Sequence, residues 1–325
     1  MSHINTVLGP ISPADLGVTL VHEHCVIGFP GWEWDPLSGL PDRKAMVKAC
    51  LEVLEPAKAC GLQSLVEVTP SDLSRDVDIM KEVSEKSQIN IICSTGKYTD
   101  ENGVWAYLKW RDKLKLGDME TDLYDFFMQE ITSGIGQSGV KAGAIKVATG
   151  LNRIAPSEEA VLRAAARACK ETGVPVITHT EDGTMGPEQA DILMAEGMDP
   201  KRIMIGHMCG NPSQHYQKEV LCKGVNIAFD RFGIEIFLSD AVRLKTLIAL
   251  LGEGFVENIM LSQDYVGASF GRGGLWPEHM SPNVANWSYA HIFHTIIPVL
   301  KKAGITDEQI GTMMVDNPRR LLSGE

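Results

Sequence analysis

Apolar positions along this chain gather in eight short runs rich in Val, Ile or Leu. They are VTLVHEH at 18–24, GLQSLVEVT at 61–69, INIICST at 89–95, AGAIKVAT at 142–149, VPVITHT at 174–180, RIMIGH at 202–207, GVNIAF at 224–229 and NIMLSQD at 258–264. Runs this short and this apolar read as strands covered on both faces, the signature of a parallel sheet. Helix-like stretches lie between them: RKAMVKACLEVLEPAKAC, SRDVDIMKEVSEKS, SEEAVLRAAARACKETG, PEQADILMAEG and SDAVRLKTLIALLGEG. Strand alternating with helix eight times predicts an α/β fold of the (β/α)8 TIM-barrel class. Such a barrel carries its active site at the C-terminal ends of the strands. No linker, composition break, low-complexity tract or further repeat divides the chain, so residues 1–325 read as a single domain.

The runs end in unusual company: His22 and His24 on the first, Lys146 on the fourth, His179 on the fifth, His207 on the sixth and Asp264 after the eighth. A strand buried on both faces has no reason to finish in His or Asp unless polar chemistry waits there. The two-residue period sends the rings of His22 and His24 the same way, into the barrel, and Glu23 outward. Each residue also has an ordinary reading. His-x-His arises by chance, Lys146 snorkels to the mouth or pairs with an acid, His179 and His207 fill the core, and Asp264 caps a following helix. These readings must all hold independently, whereas one metal site accounts for every residue. Neutral imidazoles and carboxylate oxygens suit zinc and similar divalent ions.

Composition narrows the class. A net charge of −12 and a pI near 5.3 argue against nucleic acid or an anionic membrane surface as partner. The N-terminal MSHINTVLGPISPADLG lacks the features of a signal peptide and no run approaches a membrane span, which leads us to expect a soluble cytoplasmic protein. Seven cysteines without a CxxC pair fit reduced thiols better than a disulfide framework or a structural zinc site.

The pattern of His-x-His on strand 1, Lys on strand 4, His on strands 5 and 6 and Asp on strand 8 resembles the amidohydrolase superfamily with a binuclear metal centre. The segments GPISPADLGVTLVHEH, VEVTPSDLSRD, IGH and DNPRRLL are similar to its phosphotriesterase branch over essentially the whole chain. The resemblance implies two divalent transition-metal ions, zinc first, with cobalt, manganese or iron as alternatives. It implies that Lys146 is carboxylated by CO2 and bridges both ions. His22, His24 and Asp264 would hold the more buried ion, and His179 and His207 the more exposed one. Asp264 would also shuttle the proton from the activated water to the leaving group. The reaction class is then metal-assisted hydrolysis of an ester, lactone or phosphotriester.

Two further positions bear on the substrate. Tyr98, in STGKYT, and Arg231, in FDRFG, resemble the phosphotriesterase-like lactonases. The expected activity is a lactonase, acyl-homoserine lactones among its substrates, with promiscuous phosphotriesterase activity. Phosphotriester, carboxylester or amide hydrolysis on the same centre and a non-catalytic metal-binding barrel are the alternatives. Arg231 reads equally well as a substrate contact or as an ion-pair partner of Asp230 or Glu235. Lys97 puts a charge where the pocket wall should be apolar. The long Gly-rich loop at 265–287 carries Phe270, Trp276 and Trp287 over the expected mouth, where they form a lid, pack the loop down or enter a dimer contact. A homodimer is the expected assembly. His3, His215, His279, His291 and His294 read as structural.

Overall fold

The computed structural model describes residues 3–103, 106–273, 275–276 and 278–325. Two short strands, β1 (Ile4–Thr6) and β2 (Gly9–Ile11), pair antiparallel ahead of the main sheet. That sheet contains β3 (Thr19–Ile27), β4 (Ser64–Glu67), β5 (Asn90–Gly96), β6 (Ala144–Thr149), β7 (Val176–Thr180), β8 (Ile203–Ile205), β9 (Asn226–Phe229), β10 (Ile259–Leu261) and β11 (Val266–Ser269). All its pairings are parallel, in the order β10-β9-β8-β7-β6-β5-β4-β3-β11.

The sheet closes because β10 and β11 are two halves of one eighth strand. The first half pairs with β9 and the second with β3. Between them the chain breaks at Asp264, which takes a left-handed φ of 54°. The Asp264 N–H donates to the His22 carbonyl at 3.1 Å and the His24 N–H to the Tyr265 carbonyl at 2.8 Å, stitching the seam. The result is the (β/α)8 barrel that the spacing predicts.

The helices are α1 (Arg43–Ala59), α2 (Val77–Ser87), α3 (Ala106–Lys113), α4 (Met119–Thr132), α5 (Pro156–Thr172), α6 (Gly186–Ala195), α7 (Gln214–Leu221), α8 (Asp240–Gly252), α9 (Ile297–Lys302), α10 (Asp307–Gly311) and α11 (Asn317–Ser323). Asp42, Asp76 and Asp118 start α1, α2 and α4 by accepting backbone N–H bonds from Ala45, Ile79 and Thr121. Pro156 opens α5, and Gly173 ends it with a left-handed φ of 75°. Five of these helices match the stretches read from sequence; α3, α4, α7 and the C-terminal three are additions. No helix among the described residues is long and apolar enough to cross a membrane, and all seven cysteines are free.

The barrel interior explains where polar chemistry can sit. Val21, Val66, Ile92, Ala144, Ile177, Met204, Ala228 and Met260, one from each strand β3 to β10, are all buried in one apolar cluster. Ile4, Leu16, Leu321 and Leu322 belong to the same cluster and plug the N-terminal end of the barrel. Because side chains on one face recur every two residues, the next inward positions are Lys146, His179, Asp230 and Ser262. A polar layer therefore lies directly above an apolar one.

On β3 this parity is broken and restored by a bulge. Leu20 pairs with Leu65, but Glu23 pairs with Glu67, so β3 carries one residue more than β4. Val21 thereby joins the apolar layer while His22 and His24 still face inward.

Candidate active site

All six residues singled out at the strand ends line one cavity of about 290 Å³, together with Tyr98 and Arg231. A larger cavity of about 1010 Å³ opens at the opposite end, beside β1 and the chain terminus, and holds none of them. His22, His24 and Lys146 lie within their strands, since β3 runs on to Ile27 and β6 to Thr149. His207 and Asp264 follow β8 and β10 and both adopt left-handed backbone, at φ 58° and 54°. Non-glycine residues in that conformation gather at functional sites, where surrounding contacts hold them.

Close backbone approach is secured by glycine. A Cβ on Gly96 would fall 1.9 Å from the Lys146 carbonyl oxygen, and one on Gly206 would fall 2.1 Å from that of Thr178. Gly96 lets the end of β5 lie against Lys146, and Gly206 sets the chain for His207.

The imidazoles are oriented from behind. Asp230, fully buried, approaches His22 Nδ1 at 2.8 Å through one oxygen and His207 Nδ1 at 3.1 Å through the other. It also accepts the His207 N–H. His24 Nδ1 lies 2.6 Å from Thr69 Oγ1, which donates to the buried Glu67 carboxylate at 2.7 Å. With Nδ1 of His24 and of His207 hydrogen-bonded and that of His22 facing the Asp230 carboxylate at 2.8 Å, the network assigns the lone pair to Nε2. Those Nε2 atoms converge on the Asp264 carboxylate, at 3.5 Å for His22, 3.1 Å for His24 and 3.7 Å for His207. Acceptors facing acceptors around a carboxylate form an electron-rich hole that suits a cation.

His179 is turned the other way. Its Nε2 donates to Glu181 Oε2 at 3.0 Å, which leaves Nδ1 as the lone pair. Its ring packs edge-on against Tyr98 at 5.0 Å and against His207 at 4.6 Å.

Titration follows from burial. Desolvation lowers His22 to about 4 and pushes His179 and His207 below the usual imidazole range, so these rings are neutral. Burial opposes ionisation of Asp264, but the groups around it, the paired Arg231 guanidinium among them, outweigh it and hold the carboxyl well below its ordinary value. Lys146, whose Nζ donates to His22 Nε2 at 2.8 Å, is brought by burial down to about 7. Neutral imidazoles, an ionised carboxylate and a partly neutral amine are the donor set that divalent transition metals take. His22, His24 and Asp264 could together hold one ion, and so could His22, His207 and Asp230, since the ligand atoms in each set lie within 4.8 Å of one another.

The profile of the phosphotriesterase family matches residues 2–322. The chain belongs to the phosphotriesterase family. A solved structure described as the organophosphorus hydrolase from Deinococcus radiodurans superposes with a TM-score of 0.95 at 43% identity, covering 99% of this chain and 97% of that one. A mutant of the Deinococcus radiodurans PTE-like lactonase does so with a TM-score of 0.94 at 43% identity, covering 98% and 99%. The aryldialkylphosphatase of Saccharolobus solfataricus is 32% identical over 316 residues, 96% of this chain and 97% of its own.

Within this family framework, several details differ from the sequence reading. Arg231 does form an ion pair, but its partner is Asp264, with Nε 3.1 Å from Oδ2, rather than Asp230 or Glu235. Its guanidinium also lies over the Phe237 ring at 5.1 Å. No helix follows Asp264 for it to cap; β11 does. Lys97 turns away from the cavity, donating to Ser71 Oγ and lying over Phe126, so the wall stays apolar there. Phe270 stacks on Trp32 at 4.7 Å and does not line the cavity, whereas Trp276 and Trp287 do. The Trp287 indole donates to the Gln263 carbonyl, so it packs the loop down as well. Residues 274 and 277 of that loop lie outside the described residues.

Glu23, Glu67, Thr69 and Glu181 escaped the sequence reading of the site, and Asp230 entered it only as a partner for Arg231. Asp230 follows the seventh run as Asp264 follows the eighth, and that signal was available. The other four show their roles only when strands are adjacent.

Proposed function

We propose that this hydrolase is a metal-dependent lactonase with promiscuous phosphotriesterase activity. The observation that carries the reading is the convergence of the His22, His24 and His207 Nε2 atoms on the Asp264 carboxylate, with Nδ1 of His24 and of His207 hydrogen-bonded to buried groups and that of His22 2.8 Å from Asp230. His22, His24 and Asp264 would hold one ion, and His179 and His207 the other. Lys146 would join both as its carbamate. A neutral amine adds to CO2 and releases a proton, and burial leaves Lys146 with such an amine near pH 7. Bound there, two zinc or similar ions would supply an acidified water and an electrophilic pull on the carbonyl oxygen of the substrate.

The chain's own groups account for the remaining work. Asp264, its rotamer held by Arg231, accepts a proton at Oδ1 and returns it to the departing alkoxide. Tyr98 keeps its phenolic proton, because burial pushes its pKa above the ordinary value, and it donates to the ring oxygen of a lactone. Ile234, Phe237, Trp276 and Trp287 exclude water from the opposite wall. The names of the Deinococcus lactonase and the Saccharolobus phosphatase support both activities in one scaffold. A cytoplasmic homodimer that takes a small lactone or ester, and neither nucleic acid nor membrane, completes the proposal; the net charge of −12 supports its last part, since it disfavours nucleic acid and anionic membrane surfaces.

The test is one purified sample, analysed for metal content and assayed on lactones, aryl esters and organophosphates. About two transition-metal ions per chain and a higher kcat/KM for a lactone than for any organophosphate are expected. Metal-free protein with chelator-insensitive turnover would refute the metal reading. An organophosphate preferred over every lactone would refute the substrate assignment alone.

A further inference from the structure

The segment between β9 and α8, residues 230–239, gives the cavity Arg231, Ile234 and Phe237, and the loop after β11 gives it Leu275, Trp276 and Trp287. The two segments are joined along their length. A Cβ on Gly233, whose φ of 89° is left-handed, would fall 2.8 Å from Trp287 Cα, so the chains touch there backbone to backbone. The Glu235 N–H donates to the Asn283 carbonyl at 2.9 Å, and the Phe237 and Trp276 rings meet edge to face at 5.8 Å. Behind these contacts stands Asp240, the first residue of α8. Its carboxylate accepts from the Gly233 N–H at 3.0 Å, from Arg243 Nη1 at 3.2 Å and from His291 Nε2 at 2.7 Å. Arg243, fully buried, also donates through Nη2 to the Ile234 carbonyl at 3.0 Å. His291 is buried too and directly precedes a π-helical turn, Ile292–Ile296, a conformation frequent at functional sites.

We propose that His291 is a positioning residue for substrate selection: through Asp240 it fixes the two segments against each other and so sets the wall that receives the substituent on a lactone ring. The inference rests on the lactonase reading above. Asp240 and Arg243 tie the first segment to the helix it enters, and His291 brings to the same carboxylate a side chain from the far end of the second. His291 and Asp240 do not line the cavity, so they act on a substrate only through the residues that do. A wall that is already ordered spares the substrate the cost of ordering it, and a longer substituent, which meets more of the wall, gains more from that. Arg231 belongs to the first segment and pairs with Asp264, so loosening the segment also touches the chemistry. That part is common to every substrate of one ring and cancels in a ratio.

The test compares His291→Leu, which loses the donor to Asp240, with His291→Gln, which keeps an N–H for it. The probes are two five-membered lactones with the same ring, one bearing a methyl and the other a butyl chain. His291→Leu lowers the ratio of kcat/KM for the butyl over the methyl lactone about tenfold, with metal content per chain unchanged, and His291→Gln restores most of it. Amide hydrogen exchange reads the same device without turnover: protection over residues 231–238 and 278–287 falls in His291→Leu and returns in His291→Gln, while β3 to β8 keep theirs. His291→Phe replaces His291→Leu if that variant does not fold. An unmoved ratio in a folded variant that lacks the donor, or a His291→Gln variant as impaired as His291→Leu, would overturn the proposal. Wild-type protein that hydrolyses neither lactone refutes the lactonase reading instead. The relative affinities of the matching methyl and butyl cyclopentanones, measured by calorimetry, then decide the role of His291 together with the exchange.

Discussion

A histidine ligand is only as good as the group behind it, and here one carboxylate stands behind two of the proposed ones. Asp230 contacts Nδ1 of both His22 and His207. Asp230→Ala removes both supports, and loss of such outer partners costs roughly 10- to 100-fold in metal affinity. Competition against a chromophoric chelator should show that loss; affinity equal to wild type would mean the rings orient themselves. Tyr98 is tested differently, because its phenol serves a lactone's poor alkoxide leaving group more than a phosphotriester's stable phenolate. Tyr98→Phe is expected to lower lactone kcat/KM by about tenfold more than organophosphate kcat/KM, the worth of one hydrogen bond of about 1–3 kcal/mol. Equal loss on both substrates would remove Tyr98 from the leaving-group side. The inward-facing His, Lys and Asp were legible because such residues are conspicuous at the end of apolar runs. Glu23 and Glu67 were not, since an acid within a strand looks solvent-facing until its neighbours are known.

At the scale of elements, the apolar runs located the eight barrel strands, because both faces of a parallel strand are covered and the pattern is strong. The β3 bulge and the split of the eighth strand were illegible for a physical reason. A bulge alters parity through pairing with the next strand, and nothing within VTLVHEH announces it. Without it, Val21 and His22 could not both face inward. Helices α3 and α4 lie in one long connection between β5 and β6; α3 buries no residue, which leaves no apolar stripe to read, whereas α4 buries Leu123, Phe127 and Ile131 and its stripe was there to be read. The split in the eighth strand has its own support. Glu23 accepts from Ser262 Oγ at 2.6 Å, the Gln263 N–H at 2.9 Å and the Tyr265 N–H at 2.7 Å, clasping the turn on both sides of Asp264. Glu23→Leu leaves three buried donors without an acceptor, at about 1–3 kcal/mol each. A fall in thermal stability of at least 3 kcal/mol, with loss of turnover as Asp264 shifts, is expected from calorimetry and kinetics on the same variant. Wild-type stability would show that the seam holds without the clasp.

Across the whole molecule, one end of the barrel is closed by apolar packing and the other carries a layer of polar groups. Ile4, Leu16, Leu321 and Leu322 complete the first end. At the second, the Nε2 atoms of three histidines surround the Asp264 carboxylate, and cations bound there would stabilise the folded chain in which alone the site exists. The linkage is quantitative. An ion present at a hundredfold over its dissociation constant adds about 2.7 kcal/mol. For a chain of 325 residues, unfolding entropy of about 2.1 cal/mol/K per residue converts that to about 4 °C per ion. Stripping the metals with a chelator should therefore lower Tm by about 8 °C for two ions, and returning zinc after the chelator is removed should restore it. Lys146→Ala, which would delete the proposed bridging position, should show a smaller shift on metal addition, with added short carboxylic acids recovering part of it. A stripped protein that melts where the loaded one does would mean that the polar end of the barrel is stable without ions, and the metal reading of this layer would fail at its thermodynamic root.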